Sequence, residues 1–213
     1  MYIPAHFDES RPDALHALIR DHPLGTLVTH GPQGLDANHL PFALIDRPEG
    51  LGVLHAHVAR ANPLWRECGE GDEVLAIFQA GDAYVSPNWY PSKHEEHKQV
   101  PTWNYMVVHA HGRIRVRDDE RFVRAVVGRL TKTHEAGQPV PWTMADSPRE
   151  FIDTLLQAIV GIEIEITRLV GKAKLSQNKE ARDLRGVAEG VKASGADALA
   201  GAMLACAQAK ESD

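Results

Sequence analysis

Four of the chain's 12 histidines stand as two His-x-His pairs, His55 with His57 and His109 with His111, each within a "HAH" triplet. Side chains at i and i+2 of a strand share a face, so two such strands could present four imidazoles to a divalent transition metal or a haem iron. The same spacing also describes histidines on the polar face of strands whose other face carries Leu54, Ala56 and Val58, or Val108 and Ala110. No carboxylate or thiolate accompanies the pairs at ligand spacing, so the expectation is that no metal is held.

A second candidate is "VARANPLWRE", residues 58 to 67. Asn62 can cap a helix with Pro63 at its first position, and a helix start favours an anion. Arg60 beside it could clamp a phosphate with two hydrogen bonds. The third candidate is spread over three segments. "DAYVSPNWYPSK" holds Tyr84, Trp89 and Tyr90 among prolines and serines, and reads as a loop too broken for a helix or a central strand. "VPTWNY" gathers Trp103, Asn104 and Tyr105, and "GKAKLSQN" brings Lys172, Lys174, Ser176 and Gln177. Flat rings beside a few placed donors and acceptors suit a planar ligand, although packed tryptophans and a solvated basic loop would explain each segment alone. No G-x-S-x-G, P-loop or G-x-G-x-x-G pattern occurs, and no catalytic residue is assigned.

The elements that must position these groups begin with a helix in "RPDALHALIRDH", capped by Ser10 and stopped by Pro23. Short β-like runs follow, "GTLVTH", "LDANHLPFALI", "LGVLHAHV" and "EVLAIFQA", separated by the turns "GPQG", "DRPEG" and "CGEGD"; such short connections favour antiparallel pairing. "TWNYMVVHAHGRIRVR" extends the sheet. A helix with an Asp cap follows from Asp118, setting Phe122, Val126, Val127 and Leu130 on one face, and "SPREFIDTLLQAI" forms another with Ser147 as cap. "GIEIEITRLV" alternates Ile162, Ile164 and Ile166 with Glu163, Glu165 and Thr167, the pattern of a half-buried strand. The tail from about Ala181 is helical.

The 213 residues, 43% hydrophobic, suffice for a buried core. The expected organisation is a single domain over 1–213: an N-terminal helix segment (1–24), a β-barrel with inserted helices (25–170), then a basic loop and C-terminal helices (171–213). A net charge of −6 argues against a surface that grips duplex DNA throughout. Cys68 and Cys206 form no C-x-x-C pair, and there is neither a leader pattern nor an apolar run of membrane length, so a cytoplasmic protein is expected.

Seven blocks in order, "ANHLPF", "HVARANPLW", "AYVSPNWYPSK", "VPTWNY", "VHAHG", "IVGIEIEI" and "GKAKLSQN", closely resemble the PaiB family, bacterial proteins described as FMN-binding negative transcriptional regulators. The resemblance implies an α+β fold built on an antiparallel split β-barrel with peripheral helices and a C-terminal helical tail. It implies a homodimer with FMN at the subunit interface. The matching blocks supply the cofactor residues: Asn38, His39 and Leu40 along the flavin ring; His55, His57, Arg60 and Asn62 at the phosphate; Trp89, Tyr90 and Lys93; Thr102, Trp103 and Asn104; and Lys174, Ser176 and Gln177. A regulator is expected, with DNA contact weak or indirect; a small FMN-dependent oxidoreductase is the alternative.

Overall fold

The computed structural model describes residues 1–212. Among these residues eight strands form: β1 (Asp8–Glu9), β2 (Leu24–Gly31), β3 (Gly34–Pro41), β4 (Ala43–Ile45), β5 (Val53–Ala59), β6 (Glu73–Val85), β7 (Thr102–Arg117) and β8 (Ile159–Lys174). The α-helices are α1 (Pro12–Asp21), α2 (Leu64–Glu67), α3 (Pro91–Glu96), α4 (Glu120–Glu135), α5 (Arg149–Gln157), α6 (Ala181–Ala193) and α7 (Asp197–Ser212). Hydrogen bonding orders the strands β3-β2-β6-β7-β8-β5-β4, with β1 beside β8. The sheet is antiparallel and open, since its path ends at β3 and β4 without a pairing between them. Among the described residues no helix is long and apolar enough to cross a membrane.

The chain folds as two compact units. The central unit comprises Ile19–Phe78 and His109–Leu169. The terminal unit is assembled from Met1–Leu18, Gln79–Val108 and the chain from Val170 onward, so β6, β7 and β8 each contribute to both.

In the central unit the turn "GPQG" closes a hairpin in which Gly31 pairs with Gly34, whose φ of 103° is open to glycine at no steric cost. β5 pairs with β8 from Val53↔Glu165 to Ala59↔Ile159, and Leu54, Ala56, Ile162 and Ile164 are fully buried. Asp119 caps α4 by accepting the Phe122 N–H at 2.7 Å, and the helix buries Val123, Val126 and Leu130. Four details differ from the sequence expectations. "LDANHLPFALI" is two strands, because Pro41 has no N–H to continue the ladder and Phe42 N turns to the Pro23 carbonyl at 2.9 Å. β8 is buried on both faces from Val160 to Ile164, Glu163 included. α5 starts at Arg149 with Pro148, not Ser147, at the cap, and α1 starts at Pro12, with the Arg11 carbonyl rather than Ser10 taking the first bond, from Leu15 N.

In the terminal unit α6 buries Leu184, Val187, Ala188 and Val191, one helical face at i, i+3, i+4 and i+7, and α7 buries Leu199, Ala200, Met203 and Ala207. These side chains share one core with Ala83, Val85, Tyr90 and Leu175; each large aliphatic buried this way contributes about 1.5–3 kcal/mol. "DAYVSPNWYPSK" is more ordered than expected. β6 continues to Val85 through Gly81, which takes φ 61°, and a 3-10 turn at Pro87–Trp89 then leads into α3. Proline at the first position of each helical piece costs nothing there.

Candidate functional site

In the terminal unit three separated segments converge: the chain from Tyr90 to Gln99, the first residues of β7, and the turn that follows β8. Tyr90 is buried, with its hydroxyl 3.4 Å from Ser176 Oγ. The buried Asn104 amide donates to the same Ser176 Oγ at 3.0 Å. Ser176 itself holds φ 66°, a left-handed conformation that costs a non-glycine residue on the order of 1 kcal/mol or more. Gln177 stabilises that turn, accepting Leu175 N–H at 2.8 Å and donating to the Ala173 carbonyl at 2.6 Å. Lys174 Nζ donates to the Thr102 hydroxyl and to the Trp103 carbonyl.

A further polar chain runs beneath. Lys179 Nζ lies 5.5 Å from the centre of the Tyr90 ring and donates to Gln99 Oε1 at 2.7 Å. The Gln99 amide donates to Ser92 Oγ at 2.8 Å, and Ser92 donates its N–H (3.0 Å) and hydroxyl (2.7 Å) to the two oxygens of buried Asp183. Between these groups lies a cavity of about 230 Å³, walled by Lys98, Lys174 and Lys179 together with Tyr90, Thr102 and Ser176. Burial is the first cause lowering the Lys174 pKa, and neighbouring Lys172 adds to it; burial pushes the Tyr90 pKa up.

Of the expected ligand residues in this unit, Tyr90, Thr102, Lys174 and Ser176 face the cavity, while Asn104 and Gln177 support it from behind. Trp103 is exposed and packs edge-to-face on exposed Tyr84, ring centres 5.9 Å apart. Lys93 lies in α3 and Trp89 lies against α6, where a Cβ at Gly190 would sit 2.2 Å from Trp89 Cδ2; neither lines the cavity. Lys98, Gln99 and Lys179 were absent from the sequence-derived set. All three sit inside or beside the blocks that drew attention, and their signal was the excess of cationic and amide groups there.

In the central unit Asn62 donates to Asn38 Oδ1 at 2.7 Å and accepts Leu64 N–H at 2.9 Å. Thr26 Oγ1 lies 3.0 Å from His39 Nδ1, and Leu40 is buried. His55 Nε2 lies 3.2 Å from Glu163, which also receives Arg117 at 3.2 Å. Burial lowers the His55 pKa and Glu163 opposes that. His57 Nδ1 is buried without a hydrogen-bond partner, and burial lowers its pKa too. His111 Nε2 is 3.0 Å from the Arg168 guanidinium. Among the described residues no group of three or more His, Cys, Asp or Glu side chains is placed to hold a metal ion.

Arg60 does not stand free as a phosphate clamp. Its guanidinium forms a two-pronged pair with Asp118 at 2.9 and 2.6 Å and donates to the carbonyls of Gln157 (2.7 Å) and Ile159 (3.2 Å). Four of its donor contacts are thus made within the protein, and its pair with Asp118 lies at the surface. The helix after Asn62 is a single turn of four residues, too short for a developed dipole.

Residues 1–168 match the family described as "Putative FMN-binding domain". An uncharacterized protein of Emericella nidulans is 34% identical across 93% of this chain and 93% of its own length. "Protease synthase and sporulation protein PAI 2" of Bacillus subtilis is 30% identical across 89% and 88%. Among solved structures, the FAD and heme binding protein from Mycobacterium smegmatis has a TM-score of 0.57 at 17% identity, over 78% of this chain and 73% of that one. That likeness is one of fold, the split-barrel type. The fungal relative shows that such chains are not confined to bacteria.

Proposed function

The chain belongs to the FMN-binding-domain family, and on that premise we propose that it binds FMN as a homodimer and acts in the cytoplasm as a negative regulator of transcription. The observation that carries the flavin reading is the convergence, on one cavity, of Tyr90, the start of β7 and the Lys174–Ser176 turn. These groups match the ligand's chemistry: hydroxyls for a ribityl chain and rings nearby for a flat heterocycle. The cavity's volume of about 230 Å³ lies under the roughly 300 Å³ at which whole-ligand sites begin, so one chain encloses part of such a ligand. The exposed Tyr84–Trp103 pair and exposed Val100 belong to the same unit and supply apolar surface of the kind a second copy covers.

When bound, FMN supplies one- and two-electron chemistry of its own, and the protein's part is to hold and orient it. Here Tyr90 and Asn104 fix Ser176, Gln177 locks the turn, and Lys174 ties that turn to β7 through Thr102. The regulatory reading is supported by the resemblance to the PaiB family and by the Bacillus relative, whose name ties it to protease synthesis and sporulation. With a net charge of −6, action through a protein partner is favoured over tight autonomous DNA binding.

The absorption spectrum of freshly purified protein, repeated after adding FMN and removing the excess, tests the cofactor. Retained flavin absorbance is expected, and its loss on gel filtration would count against the reading. Steady-state reduction of bound flavin by NADH or NADPH at enzymatic rates would move the protein to the oxidoreductases.

A further inference from the structure

We propose that Asp118 is a built-in competitor for the flavin phosphate: its carboxylate holds the fork of Arg60 that a phosphate would take, so FMN engages Arg60 only by displacing it. The inference rests on the flavin reading, with the phosphate at the end of β5. Arg60 is the first residue after β5, and uncharged groups at the junction of α5 with β8 fix it from one side. Its Nε donates to the Gln157 carbonyl at 2.7 Å, Nη2 to the Ile159 carbonyl at 3.2 Å, and its backbone N–H to the Ala158 carbonyl at 2.8 Å. The outer pair of nitrogens, Nη1 and Nη2, meets the two oxygens of Asp118 at 2.9 and 2.6 Å. Arginine takes a carboxylate or a phosphate with this same two-pronged geometry. Among the described residues Asp118 is the one carboxylate paired with Arg60, and it bonds no other side chain.

Because carbonyls already orient the guanidinium, Asp118 is not needed to aim it. What Asp118 adds is charge. The two side chains are 38% and 45% exposed, so a ligand can reach the pair from solvent, and a pair so exposed is weak enough to exchange. A phosphomonoester carries a charge of about −1.5 to −2 at neutral pH, more than the carboxylate it would replace. The displaced Asp118 cannot move far, since the next residue, Asp119, caps α4 by accepting the Phe122 N–H at 2.7 Å. It therefore stays close to the incoming phosphate and repels it. Both effects, the pair that must open and the repulsion that follows, weaken FMN binding. Neither touches riboflavin, which has no phosphate. One surface carboxylate thus sets how sharply the chain tells the two flavins apart.

Fluorescence titration with FMN and with riboflavin, on the wild type, Asp118→Asn, Arg60→Ala and the double variant, tests the exchange. Asp118→Asn keeps the shape of the side chain and removes its charge. It should raise FMN affinity about 2- to 5-fold, the worth of an exposed ion pair, and leave riboflavin affinity unchanged. Arg60→Ala should lower FMN affinity about tenfold or more. On that background Asp118→Asn should gain less than it does in the wild type, because no fork is left to free. An unchanged or lower FMN affinity in Asp118→Asn, with riboflavin still bound, would overturn the competitor and make Asp118 a positioning residue for Arg60. A gain shared equally by riboflavin, or equal wild-type affinity for the two flavins, would overturn it as well. If neither flavin binds any of the four proteins, the flavin reading falls and takes the competitor with it.

Discussion

Replacing Gly190 with alanine sets two opposed effects against each other in the middle of α6. An added methyl normally stabilises a helical position by about 1 kcal/mol relative to glycine. Here the new Cβ would lie 2.2 Å from Trp89 Cδ2 and 2.6 Å from Cγ and Cε2, where carbon atoms need about 3.5–4.0 Å. The indole is a rigid fused ring and must retreat by more than an ångström. The backbone cannot simply rotate it away, since Trp89 O already sits where a Cβ at Gly186 would be, 2.5 Å from it. Overpacking of this kind costs about 1–3 kcal/mol, so Gly190→Ala should destabilise by about 1 kcal/mol net. Gly201 in α7 has nothing within 4 Å of its Cβ position, so Gly201→Ala should stabilise by about 0.5–1 kcal/mol. At about 2–4 °C per kcal/mol for a chain of this size, thermal melts of the two variants should separate by roughly 3–8 °C with opposite signs against the wild type. Because Tyr90 follows Trp89 and reaches Ser176, FMN affinity should fall in Gly190→Ala alone. Equal gains in Tm for both variants would refute the seating of the indole on α6.

Asp183→Ala leaves the buried N–H and hydroxyl of Ser92 without their acceptor, and a loss of about 3 kcal/mol is expected in urea denaturation; a loss below 1 kcal/mol would mean that water satisfies Ser92. Burial holds the pKa of His57 below its ordinary value, so the unfolded chain binds the proton first: this contribution is present above about pH 6.5 and is lost as pH falls below it. Stability should decline between pH 7 and 5, before the carboxylates titrate, and His57→Gln should flatten that slope. An unchanged slope would remove His57 from the account. Sedimentation equilibrium should give twice the 23.4 kDa chain mass, and Trp103→Ser should shift it toward the monomer; a wild-type monomer at micromolar concentration would exclude the dimer.

Much of the fold was legible because its signals are local. Alternation from Ile162 to Ile166 marks β8, the Asp119 cap marks the start of α4, and the turn "GPQG" marks the β2–β3 hairpin. The same holds for the segments around Trp103 and Lys174, whose mixture of donors and rings is visible in one dimension and which the fold brings onto one cavity. What the sequence left hidden has a different cause. Arg60 is claimed by Asp118, 58 residues away, and Glu163 is buried because His55 and Arg117 meet it across the sheet. The glycines at 186 and 190 against which Trp89 packs lie about a hundred residues downstream. Lys179 gains meaning only once Gln99, Ser92 and Asp183 connect it. A partner chosen by tertiary packing leaves no trace at fixed spacing.

The division of the terminal unit among three stretches of chain also fixes an order of synthesis. The central unit has all of its sequence once Leu169 is made, whereas Val85 and Tyr90 emerge about a hundred residues ahead of Leu184 and Val187, which cover them. At about 5–20 residues per second, these apolar side chains wait several seconds or longer on the ribosome without their core, the interval in which chaperones engage nascent chains. A chain terminated after Glu180 would carry every residue that lines the lysine cavity and still lack α6 and α7, so a late stop codon should abolish the site without deleting any residue of its wall.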